Sequence, residues 1–360
     1  MITRKICVTG LLFLVIFGLS IAPALAAGPS LDAWKPAFDP SGAKYKCVIS
    51  NVSHPAIKGV YAGFAIRDEL WKRSNGQIYI DYKPFSMLGG EVEVLNQLQM
   101  GAIQGMSVSS VASTNLGPRF GMVNLPFLVD SNEKLEKLIT NKKLFGHLMN
   151  AMDHQGIMAL DVTTYGSYGW ASTSPIKTMN DMNKAKFRIA EAAVNQLTYK
   201  QWGVNPVPMP WPDVPVALKQ GVITALDHTD LVCDLTKKFE VAKYFTEINY
   251  AKGLFIWIFN KAWFNKLPAD LQTTFVQTVN DVCADYRAQG AQQELDVKVK
   301  IKEAGIQIFR LPDAEMDILR EKGDAVHKQY AAEINKLYKG DTYRPANYLQ
   351  EVQEFLEFKN

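Results

Sequence analysis

Between Lys184 and Asp230 the chain reads KAKFRIAEAAVNQLTYKQWGVNPVPMPWPDVPVALKQGVITALDHTD. Three short apolar runs here each deliver a polar or aromatic group. In Lys186–Ile189, Phe187 and Ile189 share one face of a strand and Lys186 and Arg188 the other. Arg188 therefore sits on a short strand, next to a helix start read at Ala190-Glu191. Pro206 to Pro210 reads as a second strand delivering Trp211, and Val222 to Leu226 as a third delivering Asp227 and His228. Ligands of open α/β sheets bind beyond the carboxyl ends of the strands. One guanidinium fork, one indole and two polar groups at three successive strand ends describe a pocket for a small anion. Arginine is the fitting residue, because it gives a carboxylate two parallel N–H bonds that lysine cannot supply.

The elements that must position these groups follow an α/β rhythm. Tyr45–Ser50 reads as a first strand, Ala56–Ser74 as an amphipathic helix, and Gln77–Tyr82 as a second strand after the Asn75-Gly76 turn. A helix from Glu91 to Met100 and a strand from Gly105 to Ser109 complete a strand–helix–strand–helix–strand unit, as parallel sheets require. Residues 184–230 repeat the pattern. Between the units come a helical stretch from Asn132 to Gln155 and a strand from Ile157 to Val162. Later, Gly253–Phe259 is apolar on both faces, as a buried central strand would be. From Pro268 to about Ala304 the pattern is helical, interrupted only by Gly290, and long enough to brace two domains. Ile306–Arg310 reads as a last strand before terminal helices.

Arg4 and Lys5, the apolar run Leu11–Ile21 and Ala24-Leu25-Ala26 form the charged, apolar and small-residue regions of a cleavable secretory leader. Its removal takes the formal charge from +3 to +1 (3 − 2), which argues against a nucleic-acid or anionic-membrane surface. The remainder is long enough for two domains of about 100–200 residues. Cys47, Cys233 and Cys283 match no metal-ribbon or redox spacing and read as buried small apolar residues. No G-x-S-x-G, H-E-x-x-H or G-x-G-x-x-G motif supports a secreted enzyme.

Several segments in register give the chain a resemblance: LGGEVEVLNQLQMGAIQGMSVSS (88–110), NLPFL (124–128), SPIKTMNDMNKAKFRI (174–189), WGVNPVPMPWPDVPVALKQGVITALDH (202–228) and WIFNKAWFNKLPADLQ (257–272). From about Tyr45 to Tyr338 the sequence resembles the DctP family, the extracytoplasmic solute-binding proteins of TRAP (tripartite ATP-independent periplasmic) transporters. The resemblance implies a periplasmic, non-enzymatic protein of two hinged α/β domains, with ligand in the cleft and a long helix spanning both; a monomer is expected, though the sequence leaves dimerisation open. The expected boundaries are a leader over 1–26, a linker over 27–44, one domain from 45–163 plus 254–293, a second from 164–253 plus 294–341, and a tail over 342–360. The implied partners are a small organic acid and the small and large membrane subunits of a TRAP transporter.

In that family an arginine at the end of a K-x-R strand grips the substrate carboxylate, and Arg188 stands there. Trp211 matches a pocket aromatic, and Asn51 a polar contact; Ser109 ends a neighbouring strand of the same half. Asp227 and His228 replace the usual acid and amide, and a second family arginine is missing near Ser167 and Tyr168. Tyr165, Tyr168 and Trp170 are candidates for the wall in its place. A site with one arginine and several rings suits a monocarboxylate with an apolar or aromatic body. A C4-dicarboxylate, or a 2-keto or 2-hydroxy acid bridged by a cation, is the alternative. Asp227, His228 and Asp230 alone are too few ligands to assert such a cation.

Overall fold

A computed structural model describes residues 30–337 and 345–357. The leader read over residues 1–26, the start of the linker and parts of the tail lie outside the described residues. The first half contains β1 (Tyr45–Ser50), α1 (Lys58–Arg73), β2 (Ile78–Lys83), α2 (Glu91–Gln99), β3 (Gly105–Ser109) and the single turn α3 (Ser110–Ser113). The stretch read as one helix over Asn132–Gln155 divides into α4 (Asn132–Thr140) and α5 (Lys142–Met149), followed by a 3-10 segment. The break falls at Asn141, whose backbone turns extended while its side chain accepts a bond from Leu144 N and caps α5. Next comes β4 (Ile157–Ser172), far longer than the sequence pattern suggests.

The second half contributes α6 (Met179–Lys184), β5 (Phe187–Ile189), α7 (Ala193–Trp202), β6 (Val207–Pro208), α8 (Val214–Lys219), β7 (Ala225–Thr229), α9 (Asp230–Leu235) and β8 (Tyr244–Thr246). The chain then returns to the first half with β9 (Lys252–Asn260) and α10 (Lys261–Phe264). It ends in α11 (Ala269–Glu303), β10 (Gln307–Phe309), α12 (Asp313–Asn335) and α13 (Pro345–Phe355).

The strands run in the order β2-β1-β3-β9-β4-β7-β5-β6, with β8 and β10 off this path. Each α/β unit is parallel within itself, as the helical crossovers demand, but β9 is antiparallel to both β3 and β4. The sheet is therefore mixed rather than parallel throughout. β4 joins the halves: its first part pairs with β9, its last with β7 and β8. The change of partner coincides with a register break between Thr164 and Ser167, where Gly166 takes φ +101°, a conformation open to glycine.

The helix α11 runs 35 residues, about 52 Å at the usual rise. It packs on α1, β4 and α9, and so spans both halves. Gly290 does not interrupt it. A Cβ there would lie 2.9 Å from Thr164 Cγ2, so the glycine lets the helix touch the strand beside the bulge. At the same level Lys252 of β9 pairs with Glu294 of α11, and Ser167 of β4 bonds to Glu294 Oε1 at 2.6 Å; all three are buried. Cys47, Cys233 and Cys283 are buried free thiols, in keeping with their reading as core residues.

Candidate functional site

A cavity with about 430 Å³ of atom-free space, counted out to its mouth, opens between the halves. Val52, Ser53, Glu91 and Ser109 line it from the first half, and Arg188, Ala190, Asn195, Trp211, Asp227 and His228 from the second. Tyr165 and Tyr168, from the β4 bulge, and Phe255 of β9 complete the wall. Regular alternation would send residues three apart to opposite faces. The bulge instead brings both tyrosines to the cavity, with their hydroxyls 2.7 Å apart.

Arg188 is buried in the centre of β5, and its Nε and Nη2 donate to the Met209 carbonyl at 3.0 and 2.6 Å. Its guanidinium also lies over the Trp211 ring, 5.4 Å from the centroid. Among the described residues no carboxylate comes within ion-pairing distance of it. Burial pushes the Arg188 guanidinium down from its ordinary value while Glu91, Tyr168 and Asp227 pull it back. It keeps its charge, as arginine does. A buried cation without a partner is costly, and an anion in the cavity relieves that cost.

The third strand begins later than the sequence suggests. Val222 N bonds back to the Ala217 carbonyl after the left-handed Gly221, so pairing starts at Ala225. Asp227 and His228 consequently lie within β7 rather than beyond its end. Arg188 pairs with Leu226, so His228, two residues on, shares the Arg188 face. His228 Nδ1 accepts from Thr229 N at 2.9 Å, which assigns the proton of the neutral ring to Nε2. Burial, with Arg188 and Lys238 adding to it, holds this ring well below the usual histidine range. His228 is thus a neutral donor beside the guanidinium, packed 4.7 Å from the Trp211 centroid.

Asp227 lies on the opposite face, under α7. Its carboxyl accepts from Asn195 Nδ2 at 2.8 Å and from the Tyr250 hydroxyl at 2.9 and 3.0 Å. Tyr199, whose hydroxyl accepts from Trp170 Nε1 at 2.9 Å, donates to the same group. The donor set is filled by protein, so Asp227 forms the cavity floor and has little capacity left for a cation. Burial lifts its carboxyl to about 7 against these hydrogen bonds and the Arg188 charge. Because the raised value favours the protonated form in the fold, stability contributed at low pH is lost as pH rises from about 4 through 7. Thermal unfolding of the unliganded protein followed from pH 4 to 8 is expected to show this decline, and Asp227→Asn to lessen it, the remainder coming from Asp161 and Asp230, which burial lifts to about 6; an identical pH profile in the variant would contradict the burial argument.

Two residues read as cleft-facing are not. Asn51 is fully buried: Nδ2 bonds to the Ser107 carbonyl and hydroxyl at 2.8 and 3.2 Å, and Oδ1 accepts from Ser53 N at 2.6 Å. It shapes the loop after β1 instead of meeting the cavity. Trp170 is core, wedged between Phe187 and Trp202 with its N–H spent on Tyr199. Ser109 does reach the wall, but caps α3 by accepting from Ala112 N at 3.1 Å.

Glu91 is the group the sequence pattern hid. As the first residue of α2 it accepts from Ser109 N at 2.7 Å and Ser109 Oγ at 2.8 Å, and it is a wall of the same cavity as Arg188. Burial raises its carboxyl above the usual value, against the pull of both Ser109 bonds and Arg188. An acidic residue at a helix start is ordinary dipole chemistry, so nothing in the sequence set it apart.

Residues 51–333 match the family model described as bacterial extracellular solute-binding protein, family 7, or DctP. The chain belongs to this family. It is 26% identical over 246 residues to the 2,3-diketo-L-gulonate-binding periplasmic protein YiaO of Escherichia coli, covering 67% of this chain and 74% of that one. It is 25% identical over 316 residues to the ectoine/5-hydroxyectoine-binding periplasmic protein UehA of Ruegeria pomeroyi, covering 86% and 87%. The fold matches a TRAP periplasmic solute-binding protein from Desulfovibrio salexigens with bound orotic acid, with TM-score 0.80, 22% identity and coverage of 87% and 99%. Members of the DctP family are extracytoplasmic solute-binding proteins rather than enzymes, and they work with transporter membrane subunits. Among the described residues no helix is long and apolar enough to cross a membrane.

Proposed function

We propose that this DctP-family protein captures a small organic acid in the Arg188 cavity, closes its halves over it, and delivers it to the membrane subunits of a TRAP transporter. The observation that carries the reading is the buried guanidinium with no carboxylate partner among the described residues, in a cavity between two halves. A ligand carboxylate would take the outward N–H groups of Arg188 and the Nε2–H of His228. Trp211, Tyr165, Tyr168 and Phe255 would hold the ligand body, as aromatic faces hold an apolar or aromatic group. That favours a monocarboxylate. A second carboxylate would face Glu91, and like charges repel.

The domains are assigned as 45–163 plus 254–293 and 164–253 plus 294–341, which puts the strand crossing at the β4 bulge. Protein acting as a monomer would close about this crossing by hinge bending. Small-angle scattering with and without a bound acid is expected to show a smaller radius of gyration for the complex at constant mass. An unchanged radius on saturation would contradict closure, and doubled mass would contradict the monomer.

A further inference from the structure

The cavity presents two opposite charges that do not meet. Arg188 enters from β5 in the second half and Glu91 from α2 in the first, and both are walls of the same space. Their charges influence each other, yet the groups lie beyond ion-pairing distance. Glu91 is fixed rather than mobile. Ser109 N donates to one oxygen, and Ser109 Oγ, already an acceptor for Ala112 N, has its hydrogen directed to the other. Each carboxylate oxygen keeps a lone pair beyond these bonds. Asp227 below is filled by Asn195, Tyr199 and Tyr250, and His228 is neutral. Lys238, the other cation near Trp211, is bound to the Thr236 carbonyl and is not part of the wall. A plain carboxylate entering this space satisfies Arg188 but adds a second negative charge facing Glu91.

We propose that the ligand is a zwitterion, its carboxylate held by Arg188 and a positively charged nitrogen received by Glu91 across the cavity. This rests on reading Arg188 as the carboxylate clamp. The gap between the two groups is then the space the ligand's charges span, and the Tyr165 and Tyr168 rings in the wall add favourable surface for a cation. Glu91 sets specificity: it accepts from an ammonium or amidinium N–H and repels acids that lack one.

The test is calorimetric titration with matched pairs: proline against cyclopentanecarboxylate, pipecolate against cyclohexanecarboxylate, and γ-aminobutyrate against butyrate. Each pair is titrated into wild type, Glu91→Gln and Arg188→Ala. The nitrogen-bearing member of a bound pair is expected to bind more tightly to wild type and to lose about 10- to 100-fold in Glu91→Gln. Its plain partner is expected to bind that variant at least as well as wild type. Equal loss for both members would mean that Glu91 only anchors Ser109, and would overturn the proposal. So would plain acids binding wild type as well as their partners, or neither member binding. Plain acids bound tightly but lost in Arg188→Ala would leave the carboxylate site standing and remove the zwitterion. Binding indifferent to Arg188 would remove the carboxylate site itself.

Discussion

Replacing Arg188 with alanine is expected to weaken ligand binding by about 2–5 kcal/mol while leaving the unliganded protein about as stable as wild type or more so. The two halves of this expectation have one cause. Without ligand the buried guanidinium rests on the Met209 carbonyl and the Trp211 face, and among the described residues no carboxylate pairs with it. That arrangement costs stability until an anion arrives. Removing the cation removes the cost, less the contribution of its two hydrogen bonds to the Met209 carbonyl, about 1.5–3 kcal/mol for a charged donor. The ligand then loses its charge partner. Calorimetric titration measures the first effect and thermal unfolding the second. A variant that binds normally contradicts the site, whereas a variant that binds poorly because it unfolds would mean that Arg188 is structural.

Breaking the Lys252–Glu294 pair is expected to destabilise the protein by about 3–5 kcal/mol, the usual cost of stranding one buried charge. Glu294→Leu leaves the Lys252 ammonium with Ser167 Oγ, 3.1 Å away, as its remaining side-chain partner. The three residues tie α11, β9 and the β4 bulge together where the halves meet, so the loss falls on the crossing. Burial pushes the Glu294 carboxyl up, but Lys252 and the Ser167 bond outweigh it and hold the group below the ordinary 4.5. For an acid held low, the stabilisation is present above the unfolded value and disappears as pH falls through the folded one. The double variant Lys252→Met with Glu294→Leu is expected to recover most of the loss, since it leaves no charge unpaired. Denaturant midpoints measure all three proteins. A single variant with the wild-type midpoint would show that water reaches the pair.

The fold was legible in the sequence because periodicity and turn residues both mark the α/β units. Tyr45–Ser50 and Gly105–Ser109 are strands with the expected bounds, and the long helix runs through Gly290 for a reason only contact with Thr164 reveals. Arg188 was legible as well, since alternation in a three-residue strand separates it from Phe187 and Ile189. Asp227 and His228 were found by type but placed past a strand end, because Val222 and Ile223 look like strand residues. In fact Val222 is half exposed and belongs to the turn after α8. What alternation cannot give is the pair Tyr165 and Tyr168, which depends on a bulge. Nor can it give Asn51, whose amide folds back on Ser107 and Ser53. Glu91 was hidden by its ordinary position, for its meaning comes from a guanidinium almost a hundred residues away in the other half.

The central claim is that Arg188 waits for a carboxylate. Mass spectrometry of small molecules released from the purified protein, followed by titration of the molecule found into wild type and Arg188→Ala, tests it most directly. The account predicts a small carboxylate-bearing compound, bound one to one by wild type and lost in the variant. A released ligand without a carboxylate, or one that the variant binds equally well, would contradict it.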